Sequence, residues 1–205
     1  MKPASSALVA AAAAALLVGA CASTPAPSDY DRQALAMLRA SFRPQGQAGL
    51  DRLEQDALQQ ACSGAAPPSA EVARRLEAQA LATIRPPSDG RYLGDWKEGE
   101  KLAQSGRGMT WSDKAGDSGG SCYNCHQISP REEAFGTIGP SLAGFGKLRG
   151  NRPEIQQYVY GKIYNAKAYN ACSQMPRFGR SGTLTEQQIK HLVALLLDPA
   201  SPVNR

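Results

Sequence analysis

The sequence predicts an all-α fold with an N-terminal helical extension, on three observations. Segments rich in Ala, Leu, Gln and Arg begin at helix-capping residues such as Ser69 and Thr185. Proline pairs and glycine-rich runs separate these segments and end them. Strand-like runs are few, so a sheet is not expected. The 205 residues suffice for one good core with an appendage, or for two small domains.

Residues 1–21 are predicted to be a signal peptide of the lipoprotein type. Met1-Lys2 is a short positive start, and residues 7–20 form an unbroken apolar run that small residues follow. The run is shorter than the ~20 residues of a transmembrane helix. We therefore expect export, to a bacterial periplasm, where disulfides persist.

Cys21 is a candidate for lipidation. Val18-Gly19-Ala20-Cys21 resembles a lipobox, in which the cysteine becomes the lipidated first residue of the mature chain. The alternative is an ordinary signal peptide that takes Cys21 away with it. We expect any membrane attachment to come only from this lipid, with residues 22–28 as a tether without apolar periodicity.

The extension covers residues 29–87 and shows no cluster of ligand side chains. It is expected to pack on the main domain or on a partner. Three helices are predicted in it: residues 29–40, a second that a capping box at Asp51 and Glu54 starts and that runs to about Cys62, and a third from the cap Ser69 to before Pro86-Pro87.

The second domain, residues 88–205, has predicted helices at 95–104, 154–164 and 185–197. Thr185 is the expected N-cap of the last helix, and Pro199 lies just past its end. The stretches 106–120 and 136–150 are rich in glycine. The net charge of +5 includes no dense Lys/Arg tract, so nucleic-acid binding is not expected.

The main candidate for a functional site in this domain is the run Cys122-Tyr123-Asn124-Cys125-His126. A Cys-x-x-Cys-His run is the attachment signature of c-type haem. The two thiols add to the haem vinyl groups, and the adjacent imidazole coordinates the iron. We therefore predict one covalent haem c, with His126 as its proximal ligand.

Two other uses of this motif are disfavoured. A thioredoxin-like redox pair belongs at a helix N-terminus after a strand, whereas helices and glycine loops surround this motif. A structural zinc site needs about four ligands, and the remaining Cys and His residues do not have zinc spacing.

Met175 is the preferred candidate for the sixth iron ligand. It lies in a loop downstream of the haem motif, where Pro176 and Gly179 limit the conformations of the backbone. The rival is His191, on the last helix. At 100° per residue its side chain falls nearly opposite the apolar face, so we expect it to face solvent.

Cys62 and Cys172 remain once the haem thiols and Cys21 are assigned. An exported protein rarely keeps two free thiols, so a Cys62–Cys172 disulfide is predicted, which would tie the extension to the loop of Met175. The alternative is that Cys172 stays a free thiol near the haem edge.

Residues 141–185 carry seven basic side chains against one acidic side chain, Glu154. This basic run is interpreted either as a solvated face with one or two cations on the haem propionates, or as a docking surface for an acidic partner or anionic substrate.

The segment from about Gly90 to Leu197 resembles class I cytochrome c. The similarity lies in the helix with Gly99, the Cys122–His126 motif, Gly139-Pro140-Ser141-Leu142, Met175-Pro176 and the last amphipathic helix. The resemblance implies that the Pro140 carbonyl accepts the Nδ1 hydrogen of the proximal His126, and that the first and last helices cross near Gly99.

Four stretches are similar, more narrowly, to the SoxX family, the monohaem subunits of the SoxAX cytochromes of bacterial thiosulfate oxidation. They are residues 136–144, 162–167, 172–179 and 184–189. This resemblance implies a heterodimer with a SoxA-like haem subunit, which oxidatively conjugates thiosulfate to a cysteine of the SoxYZ carrier. The chain would pass the electrons to a soluble cytochrome c, and would not be catalytic alone in this L-cysteine S-thiosulfotransferase complex.

Two further hypotheses stay open at this point. One is a lipid-anchored periplasmic cytochrome c that shuttles electrons in a respiratory chain. The other is a haem enzyme or gas sensor from which Met175 can dissociate.

Overall fold

A computed structural model describes residues 28–114 and 116–205 of the chain. These residues form seven α-helices: α1 Asp29–Ser41, α2 Ala57–Cys62, α3 Ala70–Leu81, α4 Trp96–Gln104, α5 Phe145–Arg149, α6 Pro153–Tyr164 and α7 Glu186–Leu197. Short 3₁₀ turns occur at Leu50–Leu53, Cys122–Asn124, Ala166–Ala168 and Pro202–Asn204. The described part has no strand and one isolated bridge, between Gln45 and Ala48. The predicted all-α class is confirmed.

The signal peptide at 1–21, its Cys21, and the tether up to residue 27 lie outside the described residues. Within the described ranges, no helix combines the length and the apolar character that crossing a bilayer requires.

The chain divides into two compact units, one ending at Phe42 and one running from Arg43 to Arg205. The described part of the first unit is α1. Ser28 and Asp31 form a capping box at its start, and none of its residues is buried. Residues 43–87 of the predicted extension belong to the second unit, together with residues 88–205.

The second predicted helix starts later than the sequence suggested. Asp51 lies in a 3₁₀ turn instead, and α2 begins after Asp56, whose carboxylate accepts the backbone N–H of Gln59 at 2.8 Å. The Gln59 side chain in turn accepts the N–H of Asp56, which completes a capping box. The end of the helix at Cys62 is as predicted.

The main core of the second unit is built on α7, which buries residues Leu192 to Leu197. Thr185 caps this helix in a capping box with Gln188, as predicted for the N-cap. α4 packs against α7 at Gly99, where an added Cβ would come within 2.2 Å of the carbonyl oxygen of His191. A side chain at Gly99 would therefore force the two helices apart.

A second, smaller core joins the extension to the segment before Met175. It consists of Leu58, Leu76 and Ala80 from α2 and α3, with Ala168 and Ala171 from the later segment. Two hydrogen bonds add to this contact. The buried Asn165 amide donates to the Thr83 hydroxyl at 2.9 Å, and the Ala171 N–H donates to the Glu77 carboxylate at 2.9 Å. Helices α2 and α3 thus support the loop that follows Ala171.

Candidate functional site

The Cys122–His126 motif forms a tight backbone turn. Ser121 precedes it in the left-handed conformation, with φ of 48°. The carbonyl oxygen of Cys122 accepts the N–H groups of both Cys125, at 3.1 Å, and His126, at 2.9 Å. This turn holds the backbone of both cysteines and of the histidine in one short, fixed segment.

The imidazole of His126 is oriented by Pro140. Its Nδ1 lies 2.7 Å from the Pro140 carbonyl oxygen. A carbonyl oxygen only accepts hydrogen bonds, so Nδ1 carries the hydrogen and donates it. Nε2 is then the ring nitrogen that can bind a metal ion. Metal-binding histidines are commonly held in this way, because the second bond fixes the tautomer and the ring orientation.

The segment 136–140 lies directly on the motif. The N–H of Gly139 donates to the carbonyl of Cys125 at 2.7 Å, and the N–H of Gly136 donates to that of Tyr123 at 2.8 Å. A Cβ on Gly139 would come within 2.2 Å of the His126 ring, and one on Gly136 within 1.8 Å of the Asn124 carbonyl oxygen. Both positions therefore require glycine for the loop to approach this closely.

The two thiols of the motif are free, whereas Cys62 and Cys172 form a disulfide. Cys122 packs against the main core, and loss of solvation raises its pKa to about 12. A reactive redox thiol is normally activated in the opposite direction, by a lowered pKa. The motif also begins in a 3₁₀ turn after a glycine loop, not at a helix after a strand.

Met175 lies in the loop between the 3₁₀ turn at Ala166–Ala168 and α7. It is half-buried and packs against the main core, as Cys122 also does. Its backbone N–H donates to the Ser173 hydroxyl at 3.2 Å. The structure thus groups Cys122, Cys125, His126 and Pro140 in one contact network, and holds Met175 on a separate loop of the same core.

The loop of Met175 is attached to α2 on both sides of the methionine. The Cys62–Cys172 disulfide, with a Cα–Cα distance of 5.4 Å, lies before it. After it, the Arg177 guanidinium pairs with Asp56, the N-cap of α2. These two links join positions 110 and 121 residues apart in the sequence, so the extension fixes the ends of this loop.

The side chain of His191 is only partly exposed, which corrects the prediction that it faces solvent. It is half-buried, and its Nδ1 accepts the backbone N–H of Asp95 at 2.8 Å. Asp95 is the N-cap of α4. The helix wheel placed His191 opposite the apolar face of α7, but α4 begins against that side of the helix.

Sequence reasoning missed the pair formed by Lys190 and Asp89. Lys190 is buried, and its Nζ lies 2.8 Å and 3.0 Å from the two carboxylate oxygens of Asp89. A signal was present: Lys190 precedes the buried Val193 and Leu197 by three and seven residues, so it occupies a core-facing position of α7.

No group of three or more His, Cys, Asp and Glu side chains able to hold a metal ion exists within 28–114 and 116–205. The motif at His126 instead combines one imidazole nitrogen that can bind a metal with two free thiols that can form covalent bonds to a cofactor.

No protein-family model matches the chain. A curated protein of Aquifex aeolicus (strain VF5), named "Uncharacterized lipoprotein", is 42% identical over 156 residues, which cover 74% of this chain and 73% of that protein. At this identity and coverage, the chain belongs to the same family as the Aquifex lipoprotein.

Proposed function

We propose that the chain is an exported c-type cytochrome that carries one haem c and transfers electrons. The observation that supports this most directly is the hydrogen bond from His126 Nδ1 to the Pro140 carbonyl, within a Cys-x-x-Cys-His motif whose thiols are both free. Together they provide an oriented Nε2 atom and two unpaired sulfurs, which is what covalent haem attachment needs.

Each residue of the motif has a separate task in this proposal. Cys122 and Cys125 would hold the cofactor through thioether bonds, and His126 would bind its iron through Nε2. Pro140 would keep the imidazole in the correct tautomer, and Gly139 would let the Pro140 loop lie against the ring. When bound, the haem supplies a one-electron carrier.

Met175 would supply the second protein ligand to the iron, through its thioether sulfur. Its loop is attached to α2 by the disulfide and by the Arg177–Asp56 pair, so the thioether is held on a supported segment. His and Met together raise the reduction potential relative to ligation by His alone. With His126 and Met175 both bound to the iron, electron transfer would be favoured over substrate binding there.

Within this class, we propose the electron-accepting subunit of a SoxAX-type complex. The support is the similarity of residues 136–144, 162–167, 172–179 and 184–189 to SoxX sequences. The chain would form a heterodimer with a SoxA-like haem subunit, which acts on thiosulfate and the SoxYZ carrier. It would then pass electrons to a soluble cytochrome c.

The alternative is a lipid-anchored cytochrome shuttle in the periplasm. Two observations favour an anchor: the lipobox-like run that ends at Cys21, and the name of the Aquifex relative, "Uncharacterized lipoprotein". A lipidated Cys21 would attach either form of the protein to a membrane, so the anchor alone does not separate the two functions.

Absorption spectroscopy with intact-mass measurement tests the haem proposal. The full chain is exported in a host with a c-type cytochrome maturation system, alongside a Cys122→Ala/Cys125→Ala variant as the matched control. We expect a red protein with the mass of one covalent haem, and colourless material from the variant. Colourless wild-type protein without a haem adduct would overturn the proposal.

Co-purification then separates the two functions. The tagged chain is isolated from its native host, and the eluate is stained for covalent haem after denaturing electrophoresis. The purification is repeated at several salt concentrations. A second haem protein that elutes in equal amount supports the SoxAX-type subunit. If the haem-bearing chain elutes alone at every salt concentration, the result supports the shuttle.

A further inference from the structure

A cavity of about 300 Å³ lies beside the loop of Met175. Its walls come from α2 and the residues around it on one side, and from residues 173–177 on the other. The Cys62–Cys172 disulfide crosses between these two sides. Both sides belong to the second compact unit, so the walls of the cavity are parts of one packed body.

The polar side chains that line this cavity are cationic or neutral, and Cys62, Met175 and Pro176 form the apolar part of its lining. The lining includes the cations Lys167 and Arg177 and the neutral polar residues Gln55, Gln59, Ser63 and Gln174. Among the lining residues there is no Asp or Glu. Among the residues that the structure describes, Asp56 is the carboxylate that pairs with a lining cation, and it binds Arg177 without lining the cavity itself.

Of the two cations that line the cavity, Lys167 has no carboxylate within salt-bridge distance among the described residues. Its Nζ donates to the Ala171 carbonyl oxygen at 3.4 Å, which uses one of the three hydrogens of the ammonium group. Burial first, and then the charge of Arg177, lower its pKa, and the charge of Asp56 offsets part of this effect. Asp56 is already paired with Arg177, so an anion in the cavity would add a second, direct partner for the ammonium of Lys167.

The side-chain amide of Gln59, in the cavity wall, is held in one orientation by a hydrogen bond. Its Oε1 accepts the N–H of Asp56 in the capping box of α2. The amide NH₂ of the same side chain remains to donate, because an amide has an acceptor oxygen and two separate donor hydrogens. A bound oxyanion would thus meet donors from α2 as well as the ammonium of Lys167.

We propose that this cavity is a binding site for a small inorganic oxyanion, with Lys167 as its principal charged contact. A free ion suits the site better than a protein side chain does, because charge-assisted hydrogen bonds from several walls require a ligand with acceptor oxygens in more than one direction. The inference goes beyond the proposed electron transfer and does not depend on the haem.

Calorimetric titration with sodium sulfate tests the proposal on the full exported chain, with ionic strength held constant by sodium chloride. We expect saturable sulfate binding that the Lys167→Gln variant weakens about tenfold, the equivalent of one charge-assisted hydrogen bond. The matched control is Lys147→Gln, an exposed lysine on α5 that removes the same charge from the chain. We expect it to change the affinity by less than about twofold.

Two further measurements keep the test decisive. Lys167→Arg, which keeps the charge, should retain sulfate binding. In the wild-type protein, nuclear magnetic resonance should show sulfate-dependent shifts of the side-chain amides of Gln59 and Gln174, and this requires no variant. The proposal is overturned if sulfate binds no better than chloride, or if Lys167→Gln and Lys147→Gln weaken binding equally.

Discussion

The ammonium of Lys190 lies 2.8 Å from Asp89, with only 6% of the lysine side chain exposed. Asp89 belongs to the segment that joins the extension to α4, and Lys190 belongs to α7. The pair therefore connects this joining segment to the helix that forms most of the main core. A buried lysine without a partner is unfavourable, so Asp89 is needed to keep Lys190 in this position.

The first prediction concerns acid stability. The hydrogen bond from Lys190 holds the pKa of Asp89 far below its ordinary value of 3.8. The unfolded chain therefore binds this proton at a higher pH than the folded protein does, so the stabilisation is complete above about pH 4 and is lost as pH falls below it. We expect Asp89→Asn to lower stability at neutral pH and to flatten its decline below pH 4.

Denaturant unfolding at a series of pH values measures this effect. Glu133→Gln serves as the control, because Glu133 is an exposed carboxylate distant in sequence from the pair. Parallel pH profiles for the wild type and Asp89→Asn would contradict the prediction.

The second prediction concerns the disulfide. Replacement of Cys62 and Cys172 by serine opens a loop of 110 residues, so the free energy of unfolding should fall by about 3–5 kcal/mol. Urea unfolding monitored by circular dichroism gives the value. Alkylation of the unreduced wild-type chain is the companion measurement, and labelling of both cysteines would show that the bond does not form in the exported protein.

The third prediction concerns Gly139. A Cβ at this position meets the His126 ring at 2.2 Å, so Gly139→Ala should displace the Pro140 loop or the imidazole, at a cost of about 1–3 kcal/mol. We expect a lower yield of haem-loaded protein and a lower melting temperature. Gly64→Ala is the control, since its Cβ would make only an ordinary 3.6 Å contact. Equal yields from both variants would argue against a tight fit at Gly139.

The fourth prediction separates the two candidates for the sixth ligand. Met175→Ala should let the reduced haem protein bind carbon monoxide at neutral pH, which the wild type should not do. His191→Ala should leave the spectrum unchanged and lower stability by about 1–2 kcal/mol, because it removes the acceptor of the Asp95 N–H. Carbon monoxide binding by the wild type would instead favour the enzyme or sensor hypothesis.

The fifth prediction concerns Cys21. If the lipobox is used, Cys21→Ser should move the mature protein from the membrane fraction to the soluble fraction, because the lipid is the proposed anchor. Fractionation followed by mass spectrometry of the N-terminal peptide measures both the location and the modification. A wild-type N-terminal peptide that starts after Cys21 would show ordinary signal cleavage.

Local sequence signals were sufficient for α3, α4 and α7, because their caps Ser69, Asp95 and Thr185 each bond the backbone a few residues ahead. They failed at the start of α2. Both Asp51 and Asp56 precede helix-forming residues, but Asp56 also pairs with Arg177, 121 residues away. The local sequence contains two capping-box patterns here, Asp51 with Glu54 and Asp56 with Gln59, and only the second caps a helix.

In the candidate site, too, local features could be predicted and long-range contacts could not. The Cys122–His126 motif could be recognised because all of its functional side chains lie within five consecutive residues. The environment of His191 was not readable, since a helix wheel treats one helix as if solvent surrounded it, whereas the N-terminus of α4 covers the side that carries His191. Lys190 was overlooked because its residue type outweighed its core-facing position.

The coexistence of one closed and one open cysteine pair sets an order for biogenesis. Four thiols can be joined in three ways, and only one partial oxidation, at Cys62 and Cys172, leaves Cys122 and Cys125 available. Export into an oxidising compartment, as proposed, would expose all four to the same oxidant. For haem to attach as proposed, Cys122 and Cys125 would have to be protected or kept reduced while the other pair closes, so we expect air oxidation of the unfolded chain to give mixed disulfides.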